Sequence, residues 1–358
     1  MTGASPTGQS GGWIAAHEAR RPDRFSPKGF LSLPQGEISV LRRIRRRGYW
    51  LLVRGLLGLA RWVPVRVGRG FCVGLALVGL RLRPTDRRMA EANLARAFPE
   101  LDTTGREGLL RESARYLGRN LFDTLAAPRL LRHGSFVSEA EGRPPVGDVL
   151  ADLAAGGRGV FILTGHLGCW ELLGGYLAGQ LRLRGFDGLA VVTSTVHNPA
   201  VDRLLQDRRR AMGMKVLPRE QGAGPLIRWL KTGGVVAVLQ DQFTTTRNRD
   251  LPFFGEPAPT PEGLGLLARR YDVPVLPVAI AAAPTGPGHV VRHLPVVRWH
   301  EADPSDDPVD RFLTGCNRQL ENFIRRNPAQ WVWFHKRWRD GDPDEKPATF
   351  PREKMNVD

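Results

Sequence analysis

Between residues 159 and 297 the apolar positions come in short unbroken runs, separated by longer stretches in which they recur every three or four residues. Unbroken runs mark strands covered on both faces, and the periodic stretches mark helices packed against them. The predicted strands are 159–164 (GVFILT), 189–194 (LAVVTS), 215–217, 235–239 (VVAVL), 273–280 (VPVLPVAI) and 289–297. Helices are predicted over 171–180, 199–212, 224–231, 261–271 and 310–325, the fourth opening on Thr260 as cap with Pro261 at its first position. The alternation predicts an α/β fold: a central, largely parallel sheet flanked by helices, mixed through antiparallel pairing near its C-terminal edge.

The pattern differs upstream. Residues 84–133 carry helical spacing with polar faces, and 142–147 (GRPPVG) form a boundary. Residues 49–83 are apolar but broken by Arg54, Arg61, Pro64, Arg66 and Arg69, so no run approaches the ~20 residues that span a bilayer. Two short segments remain, 49–62 and 70–82, preceded by Arg42, Arg43, Arg45, Arg46 and Arg47. Amphipathic helices of this make-up suit an interfacial anchor with the basic cluster on anionic headgroups; a helical hairpin packed on the core gives the same pattern. Residues 1–34 have no apolar h-region and do not read as a secretory signal. The expected organisation is a disordered or loosely attached leader (1–40), an N-terminal helical, membrane-associating region (41–135), an α/β domain (136–340) and a flexible tail (341–358), without internal repeats.

Composition narrows the classes. A chain of 358 residues, 42% hydrophobic, buries a real core. Its three cysteines, Cys72, Cys169 and Cys316, form no CxxC, which argues against a disulfide framework or zinc knuckle and for a reducing compartment. The net charge of +16 attracts anions, whether nucleic acid, lipid headgroups or an acidic protein. Because the cations are mostly Arg and spread along the chain, genome composition accounts for them equally well. A non-enzymatic basic membrane- or nucleic-acid-binding protein would place stacking aromatics among its cations and would not need the residues considered next.

In open α/β sheets, chemistry sits beyond the carboxyl ends of the strands. The first predicted strand ends in Thr164-Gly165-His166-Leu167-Gly168-Cys169-Trp170-Glu171. On a regular helix His166 and Glu171 would lie about 140° apart. They pair if His166 stays in the loop, with Gly165 and Gly168 supplying backbone freedom, and Glu171 sits in the first helical turn. An imidazole whose Nδ1–H is held by a carboxylate offers Nε2 as a base for a hydroxyl. Two solvated or core-satisfied side chains are the bland alternative. A Cys169 nucleophile activated by His166 would form an acyl-enzyme. A metal hydrolase starting from His166 and Cys169 would need further ligands, and HExxH and CxxC are absent; neither cofactor nor metal is expected.

The HLGCWE block fits the HX4D/E acyltransferase signature, and GVFILTGHLGCWELLGGYLAG resembles the site block of the bacterial lipid A biosynthesis (late) acyltransferases. The resemblance continues in order through EANLARAFPE, VVAVLQDQ, PFFGEPAPTPEGLGLLAR, VPVLPVAI and NPAQWVWFHKRW, about residues 45 to 340. It implies transfer of a fatty acyl group from acyl carrier protein (or acyl-CoA) to a hydroxyl of an anionic glycolipid, a lipid A precursor, by a peripheral or monotopic enzyme at the cytoplasmic face of the bacterial inner membrane, with no nucleic-acid partner. Phosphatidylinositol mannoside and lysophospholipid acceptors use related chemistry. By resemblance His166 is the general base, Glu171 its partner, Arg209 lies near the anionic substrate, and Asp241 and Gln242 line the same crevice. Cys169 departs from the family's usual Asn.

Two further groups stay open. Phe253, Phe254 and Gly255 wall an acyl-chain groove or pack in the core. Trp331, Trp333 and Trp338, with His335, Lys336, Arg337 and Arg339, meet a headgroup or staple the last helix to the sheet. His335, Arg337, Phe254 and Gly255 join Arg209, Asp241 and Gln242 as candidate substrate contacts.

Overall fold

The structure, a computed structural model, describes residues 35–134, 136–194, 198–244, 246–299 and 307–339, with side chains from residue 43 onward. The expected tail and most of the expected leader lie outside the described residues. By its contacts the chain divides into two units, 1–48 and 49–358. The described part of the first is the opening of helix α1 (Gln35–Leu59), which starts well before the expected segment 49–62.

In the second unit, α2 (Val65–Leu82), α3 (Pro84–Ala97) and α4 (Thr103–Arg132) form a helical layer. Asp102 caps α4 by accepting from Gly105 N–H at 2.7 Å, which explains the break in the helical pattern. Helices α2 and α4 cross with their backbones nearly touching: a Cβ on Gly118 would lie 2.6 Å from the Cys72 carbonyl oxygen. A buried ionic cluster ties this layer to the sheet. Arg69 on α2 donates through Nε (2.7 Å) and Nη2 (2.6 Å) to the two oxygens of Asp123 on α4, and His289 Nε2 lies 2.8 Å from Asp123 Oδ2.

Downstream, β1 (Val137–Glu139) and α5 (Val146–Ala154) precede a βα alternation: β2 (Val160–Thr164), α6 (Trp170–Arg182), β3 (Leu189–Thr193), α7 (Pro199–Ala211), β4 (Met214–Pro218), α8 (Gly224–Lys231) and β5 (Val235–Leu239). A hairpin, β6 (Asn248–Phe253) and β7 (Glu256–Pro261), leads into α9 (Gly263–Tyr271), β8 (Val275–Ala282), β9 (His289–His293) and α10 (Pro308–Arg326). The seven-stranded sheet runs β1-β9-β8-β2-β5-β3-β4. All its pairs are parallel except β8–β9, so the fold is α/β with a mostly parallel sheet. The central strand β2 is buried at all five positions, as its unbroken apolar run requires.

The hairpin corrects one expectation. Thr260 and Pro261 end a strand instead of opening a helix, and α9 begins at Gly263. Thr260 Oγ1 donates to the Ala258 carbonyl and accepts from Asn317 and Arg337, contacts that outweigh a local capping preference. In β7 the prolines 257, 259 and 261 alternate with Ala258 and Thr260, so the residues without an N–H take every second pair of the ladder, opposite Pro252, Asp250 and Asn248. The sequence pattern does not predict strand β1 or helix α5 either; three residues and nine residues beside a Pro/Gly boundary carry little periodic signal.

Candidate active site

Strands β2 and β5 pair in parallel with Thr164 opposite Leu239. Two residues further on, that register brings His166 beside Asp241. Asp241 Oδ2 accepts the His166 backbone N–H at 2.5 Å, and Oδ1 lies 2.9 Å from His166 Nδ1. The Trp331 indole N–H also donates to Oδ2, at 2.7 Å. Burial alone would raise the Asp241 carboxyl, but the His166 ring and these bonds hold it below its ordinary value. An ionised carboxylate only accepts, so Nδ1 carries the proton and Nε2 is the basic nitrogen. The loop carrying His166 is set by Gly168 at φ 59°, where a Cβ would lie 2.1 Å from the Ile280 carbonyl oxygen. Its two sides are pinned by Gly168 N–H to the Gln330 carbonyl (2.9 Å) and Val332 N–H to the His166 carbonyl (3.1 Å). Trp170 meets the imidazole edge-on at 5.0 Å between centroids.

The carboxylate on His166 is therefore Asp241, and this corrects the expected His166–Glu171 pairing. Glu171 does occupy the first turn of α6, but it faces Arg209 at the end of α7. Arg209 Nε lies 3.2 and 3.1 Å from the two Glu171 oxygens, and Nη2 donates to Oε1. Neighbouring Arg208 donates to the carbonyls of Thr124 (2.5 Å) and Leu125 (2.6 Å), anchoring α7 to α4. The fork geometry of the Arg209–Glu171 contact fixes both side chains at one wall of a cavity.

That cavity, about 560 Å³, opens beyond the carboxyl ends of β2, β5 and β3. Strands β3 and β5 pair only from Leu189↔Val235 to Val191↔Ala237; past that point both strands contribute to the cavity wall. Its polar lining includes His166, Glu171, Asp202, Arg209, Arg219 and Gln242. Leu173, Leu177 and Met214, from the core layer under α6, and Leu226, Leu264 and Leu267, from the layer under α8 and α9, supply its apolar walls. A cavity of this size, lined by both polar groups and apolar side chains, suits a ligand with a reactive head and a hydrocarbon chain.

The remaining candidates fall elsewhere. Phe254 (φ 54°) and Gly255 (φ 84°) form the two-residue turn of the β6–β7 hairpin, and Phe254 packs on Phe98 and under Arg325. Arg337 is fully buried over the Phe253 ring, bonded to the Pro259 carbonyl and to Thr260 Oγ1; burial pushes its pKa down to about 10. Neither residue of the turn nor Arg337 lines the cavity. The exposed His335 ring stands 6.1 Å from that of His166. The Cys169 thiol is buried, and that burial pushes it up to about 12, which disfavours the thiolate that a nucleophile needs. Two residues in quoted motifs carry unexpected weight. Trp331 holds Asp241, and Asn93 of EANLARAF donates at 2.8 Å to the carbonyls of both Trp333 and His335, clamping the C-terminal strap.

A family model described as bacterial lipid A biosynthesis acyltransferase matches residues 37–340. The chain is similar to a lipid A biosynthesis lauroyltransferase of Escherichia coli (strain K12), 27% identical over 84% of this chain and 95% of that protein. It is also similar to a palmitoleoyltransferase of lipid A biosynthesis from the same organism, 27% identical over 81% of this chain and 92% of that one. A lipid A biosynthesis acyltransferase of Haemophilus influenzae is 25% identical over 80% of the chain and 86% of its own length. The match runs from the helical layer through the sheet to the tryptophan-rich strap that holds the His166 loop, and the chain accordingly belongs to the bacterial lipid A biosynthesis acyltransferases.

Proposed function

We propose that this acyltransferase moves a fatty acyl group from an acyl thioester, carried by acyl carrier protein, to a hydroxyl of an anionic glycolipid, a lipid A precursor, by direct attack with His166 as general base. The observation that carries the proposal is the Asp241–His166 pair at the rim of a cavity with an apolar interior. The acceptor hydroxyl gives its proton to His166 Nε2 as its oxygen bonds to the thioester carbonyl carbon. Asp241 fixes the tautomer and stabilises the imidazolium. Collapse of the tetrahedral intermediate breaks the C–S bond, and the imidazolium returns the proton to the departing thiolate. The hydrocarbon chain lies along the apolar walls. Arg209, held in place by Glu171, meets the anionic acceptor, which makes Glu171 a positioning residue.

The acceptor is met at a membrane surface, in this account the cytoplasmic face of the bacterial inner membrane, which the protein binds without spanning. Among the described residues no helix is long and apolar enough to cross a membrane. Helix α2 exposes Val67, Phe71, Leu75, Val78 and Leu82 along one stripe, and no Asp or Glu occurs between residues 38 and 85. An apolar stripe among arginines suits an anionic lipid surface.

The test is acyl transfer from acyl carrier protein to a lipid A precursor in mixed micelles, comparing wild type with His166→Ala. The variant is expected to keep the fold, by circular dichroism and thermal melting, and to lose about 10²–10⁴ in rate. A folded His166→Ala protein with most of its turnover would overturn the mechanism.

A further inference from the structure

Behind the loop that carries His166 lies a second cavity, of about 550 Å³, between β1, β8, β9 and the end of α10. Leu167, the residue after the base, forms part of its wall. Leu167, Ile280 and Phe323 make an apolar floor, each of them buried. Two arginines, Arg292 on β9 and Arg326 at the end of α10, stand at its edge. Among the described residues neither has a carboxylate partner, unlike Arg69, Arg184, Arg209 and Arg249.

Two carboxylates, Glu139 and Glu141, share this lining, and neither is ion-paired with these arginines. Glu139 spends one oxygen on the Tyr176 hydroxyl (2.7 Å) and the other on the Val146 backbone N–H (2.7 Å). Glu141 is exposed, as is Arg326, and water screens both; Arg292 is half-buried. The two guanidinium groups, free of ion pairs among the described residues, match carboxylate or phosphate oxygens, and the buried apolar side chains of the same lining suit hydrocarbon. The volume lies within the range of small-molecule sites and exceeds what a bare inorganic ion fills.

We infer that this cavity is a second binding site, for an amphipathic anion: a carboxylate or phosphate head held by Arg292 and Arg326, with the first carbons of its chain against Leu167, Ile280 and Phe323. The shared chemistry fits either a fatty acid or a lipid phosphate. The occupant touches the loop that holds His166 from the face opposite the reaction, and its binding does not depend on the chemistry at His166.

The site is tested on the full chain by calorimetric titration with octyl phosphate, decanoate and inorganic phosphate, and by mapping the adducts of a diazirine-bearing octyl phosphate. Octyl phosphate or decanoate should bind at least tenfold tighter than inorganic phosphate. A preference for octyl phosphate identifies a lipid-phosphate site and a preference for decanoate a fatty-acid site; either supports the proposal. Adducts should fall within residues 279–284 and 323–327. The double variant Arg292→Ala/Arg326→Ala should weaken binding tenfold or more and remove those adducts. Affinity unchanged in the double variant, inorganic phosphate bound as tightly as octyl phosphate, or adducts confined to residues around His166 would each overturn it.

Discussion

Among the described residues two aspartate–histidine pairs have nearly the same length, and one of them, Asp241–His166, sits at the first cavity. In Asp241–His166 the two atoms are 2.9 Å apart, in Asp123–His289 2.8 Å, and both aspartates are buried. They differ in what else touches them. Asp123 is already neutralised by the bidentate Arg69, and the His289 side chain is 0% exposed with its other ring nitrogen buried and unbonded. Among the described residues no guanidinium bonds to Asp241; its further bonds come from an indole and a backbone N–H. His166 keeps 21% of its side chain exposed at the rim of the first cavity. A carboxylate orients an imidazole in both places, and access to a reacting group separates a base from a structural rivet.

The contrast is broken first by removing the structural carboxylate. Asp123→Ala leaves Arg69 as an uncompensated, largely buried charge and should lower unfolding stability by about 3–5 kcal/mol, read by urea titration. The surviving folded molecules should keep their turnover, the converse of His166→Ala. Asp123→Ala with wild-type stability would show that the cluster does not fasten the helical layer to β9.

A smaller effect sharpens the same comparison. Burial, helped by the charges of Arg119 and Arg69 and opposed by Asp123, pushes the His289 pKa below its ordinary value of about 6.5. Below that pH the unfolded chain binds a proton that the folded chain resists, so stability is fully present above about pH 6.5 and declines as the pH falls. Thermal melting from pH 7.5 to 5.5 should show the decline, and His289→Asn should flatten it. An equally steep decline in the variant would assign it to other groups.

Much of this was legible in the chain. Helix α8 and strand β5 fall on the residues their patterns predict, 224–231 and 235–239, because each is long enough to show its period and ends at a Gly or polar boundary. The β6–β7 hairpin was hidden because Thr260-Pro261-Glu262 spells a helix start, and only contacts from Asn317 and Arg337 decide otherwise. The site divides in the same way. His166 stands out beside a strand exit, whereas its partner is 75 positions away and becomes visible only once β2 and β5 are known to be neighbours. Glu171 was the natural candidate because it is local, but the start of α6 turns it toward α7, where Arg209 takes it. Strand pairing across a crossover connection leaves no periodic trace in either segment, and the DQ that follows VVAVL was the available hint.

The central claim is that the working imidazole is steadied from the neighbouring strand, and the kcat of Asp241→Asn set against that of Glu171→Gln tests it most directly. With the fold intact, an amide at Asp241 reverses the hydrogen bond to Nδ1 and should cut kcat by about 10²–10⁴ while the KM for the acceptor stays within a few-fold. Glu171→Gln, which loosens Arg209, should act mainly on that KM. Near-normal kcat in folded Asp241→Asn, with the large loss of kcat falling on Glu171→Gln instead, would contradict the account.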